Sequence, residues 1–364
     1  MSIFIFIIGI ILFIGLVVVH ELGHAVAARR NNVDVEEFGI GFPPQAWSRK
    51  LKDGTIFSLN WLPLGGFVRL RGEHDSATGE RTYGGASLWV KTKILLAGVL
   101  VNWLTAIIIF TILALTGLPQ LLPDQFTVPS DTHEAQHDVV ATEVVKGSPA
   151  EKAGLQANDT ILVIAGVPVT SAEQLTELTA ANAGRTVAVT IERNHEQKIV
   201  AVKLNKTRSV EQGYAGIGPG EETIRRSTWS APIVGIGVTL QFTQKTFEGL
   251  AQTIGYLFQR QFQQAGQNVA GPIGIFTILE KSSEAGWTPV LFLIGVISLT
   301  LAVMNVLPIP ALDGGRLFVT LLFRAIKKPL TKEREEAIQT AGFLALMGLV
   351  VLISVVDVTK LFKH

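Results

Sequence analysis

An apolar run without a single charge, Ile3 to Val19, leads directly into His20-Glu21-Leu22-Gly23-His24. No other feature restricts the fold of this chain so tightly. The run is long enough to cross most of a bilayer as a helix. On a helix, the H-E-x-x-H spacing sets two imidazoles at i and i+4. They share one face, where both can ligate one zinc ion, and the acid between them can act as general base toward a water. Ionisable groups inside a membrane helix are costly and are kept for function. The pattern therefore points to hydrolysis within a membrane. Composition alone would produce it in about one such chain in a hundred. The plain alternative is a helix end that reaches water early, which does not require both imidazoles and the acid on adjacent faces.

The rest of the chain agrees with a membrane setting. Hydrophobic residues make up 48% and charged ones 17%, with mean hydropathy +0.39. A net charge of +1 offers no case for nucleic acid. There is no cysteine, so a metal site must use His, Asp or Glu. The fold class expected is a polytopic α-helical membrane protein with four transmembrane helices, an inserted α+β domain and a cytosolic, membrane-associated β-hairpin. The spans fall at 1–28, 94–118, 285–323 and 337–358. The last contains 20 uncharged residues, Ala337 to Val356, about 30 Å of helix. Arg29 and Arg30 follow the first apolar run rather than precede it, which argues against a cleaved signal peptide.

Basic residues set the expected orientation. Ten lie in the loop 29–93 and five in the loop 324–336, whereas the long middle loop spreads thirteen over about 160 positions. Loops 29–93 and 324–336 are therefore expected in the cytosol, both termini outside, and His20 about 13 Å inside the cytosolic interface by helix rise. Within 29–93, Thr55–Trp61 and Gly66–Leu70 read as two strands joined by a Pro-Leu-Gly turn. Such a hairpin at the membrane edge can hold an unwound substrate as an added strand through Gly66, Phe67 and Val68.

The middle loop divides into a linker (119–138), a small domain (139–206) and a second linker (207–284). In the domain, Ser148-Pro149 opens a short helix, Thr160–Ile164 is a strand, Ser171 caps a second helix, and two strands turn at Asn194-His195. This order, with Gly147-Ser148-Pro149-Ala150-Glu151-Lys152-Ala153-Gly154-Leu155, resembles a PDZ domain. Ala153, Gly154 and Leu155 are its expected contact with a peptide C-terminus; a ligand-free spacer is the alternative. His133 and His137 read as solvated loop residues. From Trp229 to Gln264 the helical spacing of apolar residues predicts an amphipathic helix on the outer membrane surface, with a fifth span as the competing reading. The chain ends in a short tail, 359–364.

Catalytic zinc normally has three protein ligands and an open position. The third candidate is Asp313, in Asn305-Val306-Leu307-Pro308-Ile309-Pro310-Ala311-Leu312-Asp313-Gly314. Pro308 and Pro310 break the third span, and non-helical backbone at membrane depth is tolerated only where it lines a cavity.

Together with Gly98-Val99-Leu100-Val101-Asn102, Gly41-Phe42-Pro43-Pro44, Leu62–Val68 and Gly271-Pro272-Ile273-Gly274-Ile275, these motifs resemble the site-2 protease family of intramembrane zinc metalloproteases (M50 type). The likeness is to the bacterial regulator of sigma-E protease type, in the single-PDZ form typical of Gram-positive bacteria. The resemblance implies one zinc ion on His20, His24 and Asp313, Glu21 as base, and substrate handling by Asn102 and Asn305, for which helix–helix hydrogen bonding within the membrane is the alternative. It further implies a multi-pass protein of the bacterial cell membrane that cuts single-span membrane proteins, such as anti-sigma factors or signal-peptide remnants. A non-catalytic PDZ scaffold and a metal transporter are the alternatives, and neither needs Glu21.

Overall fold

The computed structural model describes residues 2–193, 196–208, 213–261, 264, 266 and 270–361. The turn expected at Asn194-His195 and the end of the tail, 362–364, lie outside them. So do 209–212 and parts of 262–269 in the expected second linker. The chain divides into two compact units, Met1–Leu113 with Ala231–His364, and the inserted Ala114–Ser230.

The first unit begins with α1 (Ser2–Arg30), which carries the H-E-x-x-H residues in its last third. Arg29 and Arg30 sit in its last turn, where cations oppose the helix dipole. Asn32 ends the helix in the left-handed region (φ 58°), while the Val33 amide returns to the Ala28 carbonyl at 2.9 Å.

Next come β1 (Val35–Lys50) and β2 (Ile56–Leu70), and their register divides each strand in two. Phe42–Lys50 pairs with Ile56–Leu62, Val35–Ile40 pairs with Gly66–Leu70, and Glu37–Ile40 also runs beside Ile56–Leu59. The lateral order is thus 42–50, 56–62, 35–40, 66–70. Gly41 (φ 79°) and Gly65 (φ 102°) supply the bends. This corrects the expected hairpin. The stretches around Thr55–Trp61 and Gly66–Leu70 do not pair with each other; both flank Val35–Ile40. The glycines and prolines of β1 hide its strand pattern from sequence reasoning. Phe42, Trp47, Trp61 and Leu62 remain exposed on this sheet.

α2 (Leu88–Thr116) packs directly on α1. A methyl at Gly23 would lie 2.8 Å from the Ala97 carbonyl oxygen, so the two backbones meet there.

The inserted unit is sheet-rich. It contains β3 (Leu118–Pro119), β4 (His133–Val144), α3 (Pro149–Lys152), β5 (Thr160–Ile164), β6 (Val167–Pro168), α4 (Ala172–Ala181), β7 (Thr186–Arg193), β8 (Glu196–Lys203) and β9 (Ile217–Arg226). The strand order is β3-β9-β4-β5-β7-β8, with β6 paired to β5. Ser148 and Ser171 cap the helices through their hydroxyls, as their positions predict. The core gathers Val139, Ile161, Ile164, Leu175, Val189 and Ile191. Segments read from sequence as linkers thus contribute strands: β3, the start of β4, and β9. His133 and His137 lie on β4 rather than in a loop, and His137 Nδ1 is 2.8 Å from Thr223 Oγ1 on β9.

The chain returns to the first unit with α5 (Ala231–Phe258), α6 (Pro272–Ala285), α7 (Trp287–Val306), α8 (Asp313–Ala325) and α9 (Lys332–Leu361). α5 has its partner within the unit. It runs antiparallel along α2, with Gly235 against Thr111, Phe242 stacked on Phe110 at 5.9 Å, and Trp103 Nε1 donating to Thr243 Oγ1 at 3.2 Å. Its buried side (Val234, Gly235, Val238, Thr239) is apolar or small enough for helix packing, a signal that cannot be told from a membrane-facing stripe in sequence. Among the described residues, four helices are long and apolar enough to cross a membrane: Ser2–Arg30, Leu88–Thr116, Trp287–Val306 and the Lys332–Val358 part of α9.

Candidate active site

His20 and His24, one turn apart on α1, turn their Nε2 atoms toward each other at 3.1 Å. Asp313, the first residue of α8, closes the triangle. Its Oδ2 is 3.1 Å from His20 Nε2 and 3.3 Å from His24 Nε2. Tetrahedral zinc with bonds of 2.0–2.1 Å separates its ligand atoms by about 3.3 Å. The donor set therefore fits one zinc ion with a fourth position left for reactants. Among the described residues, no other group of three His, Asp or Glu converges in this way.

Both imidazoles are buried and held from behind. His24 Nδ1–H donates to the Ile94 carbonyl of α2 at 2.8 Å, which leaves the Nε2 lone pair facing the triangle. His20 Nδ1 lies 3.3 Å from the side-chain amide of Asn102. With the amide turned so that Oδ1 accepts from Nδ1–H, His20 takes the same tautomer, and the buried Oδ1 gains the partner it otherwise lacks. Asn102 is fully buried behind His20. Its side chain thus reaches the imidazole of His20. Ser298 of α7 donates to the Asn102 carbonyl at 2.8 Å and fixes this part of α2. The Asn305 side chain donates to the Leu301 carbonyl of its own helix at 3.0 Å.

Asp313 is delivered by a bent chain. α7 stops at Val306, before Pro308 and Pro310, as a helix must when prolines follow. Ala311 adopts a left-handed conformation (φ 78°), and its backbone N–H donates to Gln339 Oε1 of α9 at 2.6 Å. Gly314 and Gly315 then press against the backbone just traversed. A methyl at Gly314 would fall 2.3 Å from the Val306 oxygen, and one at Gly315 only 1.8 Å from the Ile309 oxygen. The glycine pair is thus a packing requirement that turns Asp313 inward.

Glu21 faces the sheet. A methyl at Gly66 would sit 3.4 Å from Glu21 Cγ, and the Val68 backbone lies toward the Glu21 carboxylate. Gly66–Leu70 is an outer strand, with no strand on its far side among the described residues. Phe67 lays its ring over Gly39, where a methyl would come within 2.3 Å of the ring.

Sequence reasoning missed Gly98 as a site residue. A methyl there would fall 2.5 Å from His24 Nε2 and 2.7 Å from His20 Cε1. The available signal was its spacing: Gly98 and Asn102 are four apart and share one face of α2.

In the inserted unit, the backbone of Ala153–Leu155 is already engaged. The amides of Ala153, Gly154 and Leu155 bond to Pro149, Glu151 and Ala150 at 3.1, 2.9 and 3.0 Å. The Gly154 carbonyl accepts from Arg193 at 2.8 Å. Arg193 also forks onto buried Asp159 at 2.6 and 2.7 Å, and this pairing holds its guanidinium pKa above the usual value. These three residues thus offer no free donors to a chain end.

The model of peptidase family M50 matches residues 8–349. The protein CPE1693 of Clostridium perfringens is 30% identical over 353 residues, covering 96% of this chain and 97% of its own. Zinc metalloprotease RasP of Shouchella clausii is 26% identical, covering 97% and 98%, and RasP of Geobacillus kaustophilus is 25% identical, covering 97% of each. The chain belongs to peptidase family M50, the site-2 protease family, and is a zinc-dependent membrane protease.

Proposed function

We propose that this protein cleaves single-span membrane proteins within the bilayer, with His20, His24 and Asp313 as zinc ligands and Glu21 as general acid–base. The observation that carries the reading is the three-atom triangle at 3.1–3.3 Å, built partly from a helix apolar enough to span a membrane. Zinc held there supplies Lewis acidity to a water and to the scissile carbonyl. Glu21 accepts the water's proton and returns it to the leaving amine. A transmembrane helix hides its peptide bonds in its own hydrogen bonds, so the substrate must be unwound first. The open edge of Gly66–Leu70, beside Glu21, suits capture of the unwound segment by strand addition.

The inserted unit reads as a single PDZ-type domain enlarged by β3 and β9. With the Ala153–Leu155 amides spent, the outer strand β8 is the better edge for a peptide chain end. The orientation follows the basic residues: loops 29–93 and 324–336 in the cytosol, both termini outside.

The test compares wild type with Asp313→Asn. Purified wild type should retain zinc and cut a single-span substrate in a zinc-dependent manner. Asp313→Asn should lose more than the roughly 10–100-fold in metal affinity that removal of an outer-shell partner costs. Equal zinc retention and cleavage would remove Asp313 from the site. Orientation is tested separately. A single cysteine at Lys52 or Lys328 should resist an impermeant thiol reagent in intact cells, and one at Asn194 should react; the reverse pattern inverts the topology.

A further inference from the structure

The loop between β2 and α2 carries charges that the hydrolytic chemistry does not use. Arg316, in the first turn of α8, donates from Nη1 to Glu73 Oε1 at 2.9 Å, from Nη2 to the Glu73 backbone oxygen, and from Nε to Glu335 Oε1 of α9 at 3.2 Å. Its guanidinium lies over the Tyr83 ring, 4.9 Å from the centroid. Lys91, at the start of α2, pairs with Asp75 and reaches the same ring at 5.4 Å. Glu335 also accepts the Asp75 amide at 2.8 Å. The Lys91 side chain is 1% exposed and that of Glu335 3%. Burial drives the Tyr83 phenol pKa upward, so the ring stays neutral between the two cations.

Buried charges seldom add net stability over an apolar core of the same shape, and their best-attested use is to fix one geometry. Here the geometry at stake is identifiable. Arg316 is one turn from Asp313. α8 has no side-chain cap at Leu312, so its first turn depends on outside contacts. The glycine pair Gly314-Gly315 seats that turn against the Val306 and Ile309 backbone. Lys91 belongs to α2, whose Ile94 and Asn102 hold the imidazoles. The cluster therefore ties the helix that carries the carboxylate to the helix that orients both histidines.

We propose that the cluster of Arg316, Glu73, Glu335, Asp75, Lys91 and Tyr83, partly exposed at Glu73 and buried at Lys91, Glu335 and Tyr83, is a positioning clamp that sets Asp313 at ligand distance from His20 and His24. The inference rests on the reading of Asp313 as a zinc ligand. The planar fork of Arg316 is what it needs, since a point charge cannot hold two carboxylates and a carbonyl in fixed directions.

The experiment uses the full-length protein in detergent, loaded with zinc and chased with a chelator, comparing wild type, Arg316→Lys and Asp313→Asn. Arg316→Lys keeps the charge and loses the fork. It should release zinc about 10-fold faster, with kcat lowered to a similar degree and KM unchanged, while the zinc-free protein melts close to wild type. If Arg316→Lys does not accumulate, Glu335→Gln carries the same comparison, because it leaves the Glu73 bonds in place. Zinc release at the wild-type rate from a folded cluster variant overturns the clamp. Wild-type release from Asp313→Asn overturns the ligand reading beneath it, and the clamp with it. Fast release from Asp313→Asn alongside normal release from Arg316→Lys removes the clamp and leaves the ligand reading standing.

Discussion

Purified Glu21→Gln is expected to keep its fold and its zinc and to lose at least about 10²-fold in turnover, the low end for a positioned acid–base. Glutamine is nearly isosteric with glutamate, so the packing of Gly66 against Glu21 Cγ is preserved. Neither imidazole loses a partner, because Ile94 and Asn102 hold them from the other side. What disappears is the capacity to take a proton from water and to give one to the leaving amine. The loss should therefore fall on kcat, with KM little changed. The checks are single-turnover cleavage of a membrane substrate and zinc content by elemental analysis. Cleavage near the wild-type rate would remove the acid–base role. Loss of zinc along with activity would show instead that Glu21 supports the metal site and is more than a proton carrier.

The parts of this site legible in sequence are those written within one helix or one short segment. His20, Glu21 and His24 share a helix, so spacing alone sets their geometry. Asp313 was legible because Pro308 and Pro310 break a span beside it. The remainder depends on which backbones approach each other. Asn102 reads as a polar group in an apolar helix, and only the meeting of α1 with α2 shows that it faces His20 Nδ1. Lys91 enters a sequence-level count of cytosolic basic residues, yet its side chain is buried against Asp75 and Tyr83. The divided strands around Gly41 and Gly65 escape notice because their alternation is interrupted by glycine and proline. The pairing of β4 with β9 joins segments more than 70 residues apart, such as Val144 with Ile217. α5 reads as a surface helix, with a fifth span as the competing reading, and its packing against α2 emerges only when Gly235 is seen against Thr111.

Gly98→Ala is expected to disable the enzyme as thoroughly as removal of a ligand, although Gly98 offers no ligand atom. The new methyl would lie 2.5 Å from His24 Nε2, 2.7 Å from His20 Cε1 and 2.8 Å from His20 Nε2. Contacts that short force movement, and a flexible side chain could swing aside cheaply. These imidazoles cannot. Retreat of His24 breaks its 2.8 Å bond to Ile94, and retreat of His20 breaks the Asn102 contact. Nor can α2 withdraw as a unit, because Gly23 holds the α1 backbone against Ala97 one residue away. The methyl also approaches the atoms that must face the metal, so the triangle opens even if the helices hold. Zinc affinity should fall by at least about 10²-fold, at the upper end of what outer-shell damage costs, and activity should fall with it. Thermal unfolding of the zinc-free protein should shift by a comparable amount, since an added methyl at a packed site costs roughly 1–3 kcal/mol by overpacking, so zinc affinity is measured well below the melting transition. A Gly98→Ala protein that binds zinc as tightly as wild type would mean that α2 stands farther from α1 than described, and the tautomer argument for both histidines would have to be rebuilt.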